Sequence, residues 1–178
     1  RRPNVSRWSY EKADCLAQLD GTLDIYAPSE NGAGGIDWSW KKSIGAGESG
    51  NAAVQAALNA VGRGYFQSRR DDPGWYDCSS LVYRSYAAAG ITYLNGMDAA
   101  SEAECLVNKG MTVSYGELQP GDLIFYSYSA NGKYRNISHV AIYLGNGEMV
   151  HAADESRGVC KQAMSQSNLS PQLYCRPQ

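Results

Sequence analysis

The 178-residue sequence has no long hydrophobic run, and this absence excludes one class of protein at once. Its uninterrupted apolar stretches are only a few residues long, whereas a membrane-spanning helix needs about 20 consecutive, mostly apolar residues. The first residues, RRPNVSRWSYEK, contain no apolar segment of the kind found in a secretion signal. We therefore expect a soluble globular chain that either lost a signal or was cut from a longer protein.

The sequence also lacks an excess of either charge. Its formal net charge is -2, its isoelectric point is near 5.7, and no basic stripe runs along it. These properties argue against a nucleic acid partner. We find no internal repeat and no low-complexity tract, and the length suits one well-buried domain with a small appendage. We expect that domain to be a monomer.

Cysteine and histidine are scarce, and their arrangement is informative. The five cysteines contain no C-x-x-C pair, so neither a zinc ribbon nor a thioredoxin-like site is indicated. An odd number cannot pair completely. If Cys78 is free, the other four could form two disulfides in three connectivities, and we expect at least one bridge. These four residues are Cys15, Cys105, Cys160 and Cys175. Five reduced cysteines in a cytosolic protein remain the alternative.

Composition divides the chain into an N-terminal extension or linker, residues 1–50, and a main domain, residues 51–178. The extension contains a predicted helix over residues 10–19, capped by Ser9, and a Gly- and Ser-rich stretch over residues 28–50. Three apolar residues alternate with polar ones within that stretch, which predicts a short extended arm. They are Ile36, Trp38 and Trp40.

The main domain begins with helical patterns and continues with strand patterns. Helices are predicted from Asn51 to Val61 on the spacing of Val54, Ala57, Leu58 and Val61, from Cys78 to Gly90, and more weakly over 100–109. The run RRDD at 69–72 is interpreted as a solvated loop. Strands are predicted at DLIFYSY, HVAIYLG, EMVHAAD and GVCKQAM, with Gly-rich turns between them. Helices first and hairpins afterwards predict an α+β fold in which N-terminal helices pack on a mainly antiparallel sheet.

The stretch WYDCSSLVYRSYAAAG places a cysteine at a predicted helix start. Leu81, Val82, Tyr86 and Ala89 fall close to one helical face, and Gly90 provides a stop. Unpaired backbone N–H groups and the helix dipole favour an anion at such a position, so we expect the thiolate of Cys78 to be stabilised. A thiolate is a nucleophile, although a buried structural cysteine would satisfy the same pattern.

The only two histidines, His139 and His151, lie on neighbouring predicted strands and could supply a base and an orienting group for a thiol. A two-residue Asn146-Gly147 turn would place the histidines on opposite faces of the sheet. A three-residue connection over 145–147 would place Ala141 opposite His151 and both histidines on one face. We therefore predict the odd-length connection, or an equivalent bulge, rather than the two-residue turn.

Several segments of the chain resemble the NlpC/P60 cysteine peptidases, papain-like enzymes that cut the stem peptides of peptidoglycan. The resemblance covers about residues 50–165, in three motifs that follow the family order, and VQAALNAVGRGYFQ is similar to the family's first helix and following turn. The three motifs are DCSSLVYRSY, LQPGDLIFY and SHVAIYLGNGEMVHA.

The resemblance implies a role for each matching residue. Cys78 would be the nucleophile, His139 the base and His151 the third, orienting member. Tyr65 would stabilise the oxyanion together with the backbone N–H of Cys78. Asp77, Ser79 and Ser80 match motif positions at the subsite for the N-terminal part of the substrate, although the family usually has glycine at the position of Ser80, and QSRR replaces an expected glycine pair after Tyr65.

The implied function is that of an endopeptidase for the bond after γ-D-glutamate, acting through an acyl-thioenzyme outside the cell or in the cell wall, without a metal or another cofactor. Three alternatives stay open at this point. They are a CHAP-type amidase that cuts between sugar and stem, a catalytically inactive wall-binding module, and a zinc site formed by Cys78, His139 and His151.

Overall fold

The computed structural model describes residues 47–178, so the predicted helix at 10–19 and the predicted arm at Ile36, Trp38 and Trp40 lie outside the described residues. Helices come first in this part of the chain. They are α1 (Glu48–Asn59), α2 (Cys78–Ala88) and α3 (Ala99–Asn108). Within residues 47–178, no helix is long and apolar enough to cross a membrane.

Helix α1 begins earlier and ends earlier than the sequence pattern predicts. Residues 48–50, assigned to the linker, form its first turn. Ala53, Val54 and Ala57 are buried as expected, but the helix stops at Asn59 and Val61 is 41% exposed. The chain then turns at Gly62, whose φ of 94° is readily adopted by glycine. Val61 therefore lies outside the helix whose apolar face it was predicted to extend.

Five strands form one antiparallel sheet, and four of them were predicted from the sequence. Two short strands, β1 (Gly64–Tyr65) and β2 (Trp75–Tyr76), precede this sheet in the chain. The strands of the sheet are β3 (Leu123–Tyr126), β4 (His139–Gly145), β5 (Glu148–Asp154), β6 (Gly158–Ala163) and β7 (Pro171–Cys175). Their spatial order is β6-β5-β4-β3-β7. The sequence pattern missed β7, a short edge strand that begins with proline and buries little apolar surface apart from Cys175. The predicted α+β class is confirmed.

The main core lies between the helices and one face of the sheet. Leu81, Val82 and Tyr86 of α2 pack there against Phe125 and Val140 of the sheet. The other face carries a smaller cluster in which Ile124, Tyr126, Ala141 and Met149 are buried. Alternate residues of β3 and β4 thus enter different clusters, as the two-residue period of a strand requires. Because both faces are covered, a shift of one residue in strand pairing would exchange the two sets.

The hairpin of β4 and β5 has the predicted register but a different turn. Ile142 pairs with Val150 and Tyr143 with Met149, and the register then shifts so that Gly145 pairs with Glu148. Asn146 and Gly147 both have positive φ, 51° and 76°, as in a two-residue type I′ turn. The prediction that this two-residue turn is absent is therefore wrong. A bulge before Gly145 gives the register that puts both histidines on one face, and such a bulge was the predicted equivalent of an odd-length connection.

The predicted disulfide is not present among the described cysteines. Cys78, Cys105, Cys160 and Cys175 all have free thiols, and Cys15 lies outside the described residues. Cys160 and Cys175 are on opposite edge strands of the sheet. With three strands between them, their separation is about 19 Å, whereas disulfide-linked Cα atoms are at most about 7 Å apart. Cysteine parity alone contained no information about these distances.

Candidate active site

Helix α2 begins with a capping box that fixes the backbone around Cys78. The carboxylate of Asp77 accepts a hydrogen bond from the Ser80 backbone N–H at 2.8 Å, and the Ser80 hydroxyl accepts one from the Asp77 backbone N–H at 2.8 Å. Reciprocal bonds of this kind satisfy two donors that the first helical turn leaves free. Ser80, which departs from the usual glycine of the family, therefore completes the cap and holds Cys78 as the first helical residue.

The thiol of Cys78 lies against the beginning of strand β4. Its Sγ is 4.0 Å from the carbonyl oxygen of Ser138, and the backbone N–H groups of Val140 and Ser79 also point at the sulfur. Ser138 and Val140 are the two chain neighbours of His139. Cys78 and Ser138 are 60 residues apart in the sequence. Their contact brings the thiol beside His139, the residue that the motif assigns as the base.

The prediction of a stabilised thiolate is wrong for the resting protein. Burial, and then the negative charge of Asp77, raise the pKa of the Cys78 thiol to about 12. The backbone N–H groups of Val140 and Ser79 lower it, but their effect is smaller. A side chain that is only 8% exposed loses its hydration, and the helix N-terminus does not replace it. The thiol therefore carries its proton and needs a base to react.

The two histidines contact each other directly. His139 Nε2 and His151 Nδ1 are 2.8 Å apart, and the rings meet edge to face with centroids 5.0 Å apart. Burial, and then the neighbouring His151, lower the pKa of His139 to about 3. Burial also lowers the pKa of His151. Both imidazoles are therefore neutral near pH 7, and the predicted pairing of the histidines on one face is observed.

Cys78 and His139 are less closely joined than the two histidines, which share a hydrogen bond. Among the hydrogen bonds of residues 47–178, none joins the thiol of Cys78 to His139. Because Nε2 of His139 is occupied by His151, Nδ1 is the nitrogen left for the thiol proton. Catalytic contacts of this kind are often long before substrate binds.

Gln162 on strand β6 extends the pair of histidines by one hydrogen bond, and its role was not predicted from the sequence. Its Oε1 is 2.8 Å from Nε2 of His151, and the guanidinium of Arg157 donates to the same oxygen at 3.1 Å. Arg157 in turn pairs with Asp154 through Nε at 3.0 Å and Nη2 at 2.9 Å. The available signal was strand register: His151 pairs with Cys160, and Gln162 is two residues further on the same face.

Tyr65 is held beside the start of α2 by two short strands. Strand β1 (Gly64–Tyr65) pairs in parallel with β2 (Trp75–Tyr76), which leads directly into Asp77 and Cys78. Gly64 allows this approach, because a Cβ there would lie 2.6 Å from the Trp75 ring. Burial raises the pKa of the Tyr65 hydroxyl, and the nearby Cys78 raises it further. Tyr65 therefore keeps its proton and can act as a hydrogen-bond donor next to the sulfur.

The run RRDD is only partly the solvated loop that we expected. Arg69 and Asp72 form an exposed pair at 3.0 Å. Arg70 instead turns inward, and its Nε lies 2.9 Å from Oδ2 of Asp77 while Nη2 donates to the Ser79 hydroxyl at 2.8 Å. This arginine therefore neutralises the capping carboxylate directly beside Cys78. A motif of four charges gave no indication which of them would be buried.

Asp77, Ser79 and Ser80, predicted to line a substrate subsite, have their polar groups engaged within the protein. Their exposed fractions are 4%, 2% and 0%. Asp77 accepts from both serines and pairs with Arg70, whose second contact is the Ser79 hydroxyl. Their contact with a substrate remains a prediction.

A further acid lies close to these residues. Glu102 of α3 is 0% exposed, and neither carboxyl oxygen has a hydrogen-bond partner among the described residues. Burial, and then the negative charge of Asp77, raise the pKa of Glu102 well above its usual value. Glu102 is therefore neutral in the folded protein. A glutamate on a predicted helix gave no sign of this burial in the sequence.

The alternative of a zinc site receives no support from the geometry. Within residues 47–178, no group of three or more potential ligand side chains is arranged to hold a metal ion. The facing nitrogens of His139 and His151 bond to each other rather than converge on a third point.

An α+β domain with a cysteine at a helix start and paired histidines on the adjoining sheet is typical of papain-like thiol hydrolases. The NlpC/P60 family matches residues 64–176, which is more than half of the chain. The chain belongs to the NlpC/P60 family.

Two curated relatives are similar to more than half of this chain. A Mycobacterium tuberculosis protein named a probable endopeptidase is 38% identical over 109 residues, which cover 61% of this chain and 25% of that protein. CwlO of Bacillus licheniformis, named a peptidoglycan DL-endopeptidase, is 39% identical over 121 residues, covering 64% of this chain and 24% of CwlO. The chain thus spans about a quarter of the length of these relatives.

Solved structures support the fold. NlpC2 from Trichomonas vaginalis superposes with a TM-score of 0.63 at 22% identity, covering 79% of this chain and 50% of NlpC2. The NlpC/p60 domain of the peptidoglycan hydrolase SagA superposes with a TM-score of 0.53 at 25% identity, covering 71% of this chain and 97% of that domain.

Proposed function

We propose that this domain is a cysteine endopeptidase that hydrolyses an amide bond in peptidoglycan stem peptides, between γ-D-glutamate and the diamino acid. The observation that carries the proposal is the 2.8 Å bond between His139 and His151, next to the strand segment against which the Cys78 sulfur lies. The name of CwlO, a peptidoglycan DL-endopeptidase, points to the same chemistry.

In the proposed reaction, His139 Nδ1 takes the thiol proton as the Cys78 sulfur attacks the carbonyl carbon of the scissile amide. The C–N bond then breaks, and the proton on His139 passes to the departing amine. This leaves an acyl-thioenzyme. Water, deprotonated by His139, attacks the thioester carbon, and the acid product leaves as the thiol regains its proton. A neutral thiol and a neutral imidazole are the starting states for this sequence.

The negative charge that develops on the carbonyl oxygen is stabilised in this proposal by the backbone N–H of Cys78 and the Tyr65 hydroxyl. Tyr65 suits this role because its raised pKa keeps the donor proton in place. Asp77, Ser79 and Ser80 form a wall of the subsite for the N-terminal part of the stem. Since all three are buried, they shape that wall and hold Cys78 rather than offer free polar groups.

A substrate in the peptidoglycan layer implies a working place outside the cell or in the cell wall. We propose this location together with the function, since stem peptides of the wall are found there. Residues 1–47 act in this proposal as an extension of the catalytic domain, because residues 48–50 belong to its first helix.

Digestion of purified muropeptides, followed by mass spectrometry, tests the proposal. The expected products are a fragment that ends at D-glutamate and a peptide that begins with the diamino acid, with no products from Cys78→Ala. Release of the intact stem from the sugar would instead indicate a CHAP-type amidase. The absence of any cleavage would favour a wall-binding module, and activity that requires added zinc would contradict the cysteine mechanism.

A further inference from the structure

Gln162 occupies a position from which it can decide where the protons of both histidines lie. Its amide oxygen is the partner of Nε2 of His151 at 2.8 Å. An amide oxygen can only accept, so Nε2 of His151 must carry a hydrogen. In a neutral imidazole the other nitrogen is then an acceptor. Nδ1 of His151 therefore presents a lone pair to His139.

The tautomer of His151 determines the tautomer of His139. Nδ1 of His151 accepts, so Nε2 of His139, 2.8 Å away, must be the donor. Burial keeps this ring neutral, and its pKa is lowered to about 3. The remaining nitrogen, Nδ1, then has no hydrogen. This is the nitrogen that the proposed reaction needs as its base. With the opposite tautomers, Nδ1 of His139 would carry a hydrogen and could not take the thiol proton.

The amide of Gln162 could in principle turn over and present its NH2 group to His151. Arg157 opposes this change, because its Nη1 donates to the Gln162 oxygen at 3.1 Å. Arginine has no acceptor, so a turned amide would place the NH2 group of Gln162 against the N–H groups of Arg157, with no acceptor between them. Arg157 is itself oriented by two bonds to one oxygen of Asp154, at 3.0 Å and 2.9 Å. Asp154 and Arg157, at the β5–β6 turn, thus hold the amide of Gln162 in one orientation.

We propose that Gln162, oriented by Arg157, is a positioning residue that selects the tautomers of His151 and His139 and so leaves Nδ1 of His139 unprotonated. Gln162 does not touch the thiol or the scissile bond; it acts through two imidazoles. The inference rests on the proposed function for its catalytic consequence, but the tautomers themselves are a property of the protein without substrate.

Nitrogen-15 NMR of histidine-labelled protein tests the tautomers directly. The expected wild-type result is a protonated Nε2 and an unprotonated Nδ1 in both rings. In Gln162→Leu, and to a smaller extent in Arg157→Met, we expect a mixture of tautomers. Gln172→Leu is the matched control, because this glutamine is exposed on β7 and bonds only to Ser170. A protonated Nδ1 on wild-type His139, or unchanged tautomers in Gln162→Leu, would overturn the proposal.

Kinetics on the muropeptide substrate provide a second readout. Gln162→Leu should lower kcat about 10-fold to 100-fold with little change in KM, less than the loss of about 10⁴-fold seen when a triad histidine is forced into the wrong tautomer. Gln162→Glu should keep most of the wild-type kcat that Gln162→Leu loses, because a carboxylate also accepts a hydrogen bond from Nε2 of His151. Its charge should raise the pKa of the histidines and move the acid limb of the rate profile to higher pH. An unchanged kcat in Gln162→Leu would contradict the role.

The pH profile must be interpreted together with every ionisable group near the pair. The neighbouring groups on the helix side and on β3 are Tyr65 and Cys78, with Tyr126 and Tyr128. Those on the β6 side are Asp154, Arg157 and Cys160, which pairs with His151. Because they are unchanged in Gln162→Leu and Gln162→Glu, a shift of the acid limb between these two variants reports on residue 162.

The two experiments separate this inference from the proposed function. A wild-type protein that cleaves no muropeptide would refute the function, whereas the NMR result would still decide the role of Gln162. If Gln162→Leu fails to fold, Arg157→Met replaces it, because Arg157 is 53% exposed and its removal leaves the core intact. Unchanged tautomers in that variant would then overturn the proposal.

Discussion

Two groups of side chains meet at the candidate active site, and they are held in different ways. At the start of α2, Asp77 and Arg70 form a largely buried ion pair that fixes the first turn around Cys78. On the sheet, His139, His151 and Gln162 form a neutral row of hydrogen bonds. The helical group is close in sequence and depends on charge, whereas the sheet group is spread over three strands and depends on register. Each should therefore respond to a different perturbation.

The largest expected effect comes from removing the reactive atom of the helical group. Cys78→Ala should reduce hydrolysis by on the order of 10³-fold or more, because the proposed acyl-thioenzyme is formed and hydrolysed at that sulfur. Circular dichroism should show an unchanged fold, since only one sulfur is lost. Cys105→Ala, a partly buried cysteine on α3, is the control and should retain activity. Near wild-type activity in Cys78→Ala would end the cysteine-peptidase interpretation.

The next effect tests the charge in the helical group. Arg70→Met should lower the free energy of unfolding by roughly 2–3 kcal/mol, because it leaves Asp77 buried without its cation. Arg69→Met provides the matched control: its pair with Asp72 is about half exposed and should change stability by less than about 1 kcal/mol. Urea denaturation measures both. Equal losses in the two variants would show that the start of α2 does not depend on this ion pair.

A third effect concerns the sheet group as pH falls. The pKa of His139 is lowered from 6.5 to about 3 in the folded protein, so between these values the unfolded chain binds a proton that the folded chain does not. Stability should therefore fall as the pH drops through this window, by at most about 1.4 kcal/mol per pH unit for one proton. His139→Gln should reduce this slope in urea titrations. A slope identical to that of the wild type would contradict the neutral, buried imidazole.

The smallest effect concerns Glu102 of α3, a buried acid beside the helical group, as pH rises. The pKa of Glu102 is raised well above 4.5 in the folded protein, so above that pH the folded chain holds a proton that the unfolded chain has lost. Stability should fall as the pH rises towards the raised value, by at most about 1.4 kcal/mol per pH unit for one proton. Arg70 attracts the ionised form, which limits how far the pKa is raised and so narrows this pH window. Glu102→Gln should remove this fall, and Glu104→Gln, an exposed neighbour, should not. Equal pH dependence in both variants would refute the interpretation.

The sequence was sufficient where the determinants are local. Cys78 was predicted at a helix start, and it is the first residue of α2. The capping box of Asp77 and Ser80 that fixes this start was not predicted, although both residues lie within three positions of Cys78. Strands β4 and β5 were predicted with their observed bounds, because alternation and the Asn-Gly turn are short-range signals. The shared face of the histidines followed from the requirement for contact, and a bulge rather than the loop length provides it.

Features that depend on distant neighbours could not be predicted from the sequence. Gln162 bonds to His151 only because β6 pairs with β5, and nothing in GVCKQAM distinguishes it from a surface glutamine. The partial burial of Arg70 and the complete burial of Glu102 depend on where α2 and α3 pack, and the charge of a residue does not reveal this. The expected thiolate of Cys78 was wrong for the same reason: burial outweighs the local effect of the helix end.

The hairpin that carries both histidines has a consequence for the order of folding. His139 and His151 are separated by 12 residues, whereas Cys78 is 60 residues from Ser138, the carbonyl that it contacts. Hairpins close within about 1–10 μs, and long-range contacts wait for more of the chain. We infer that the pair of His139 and His151 forms early and that docking of α2 completes the site last. A partly folded chain therefore does not yet have the thiol of Cys78 beside His139. Pulse-labelled hydrogen exchange that protects α2 before β4 would contradict this order.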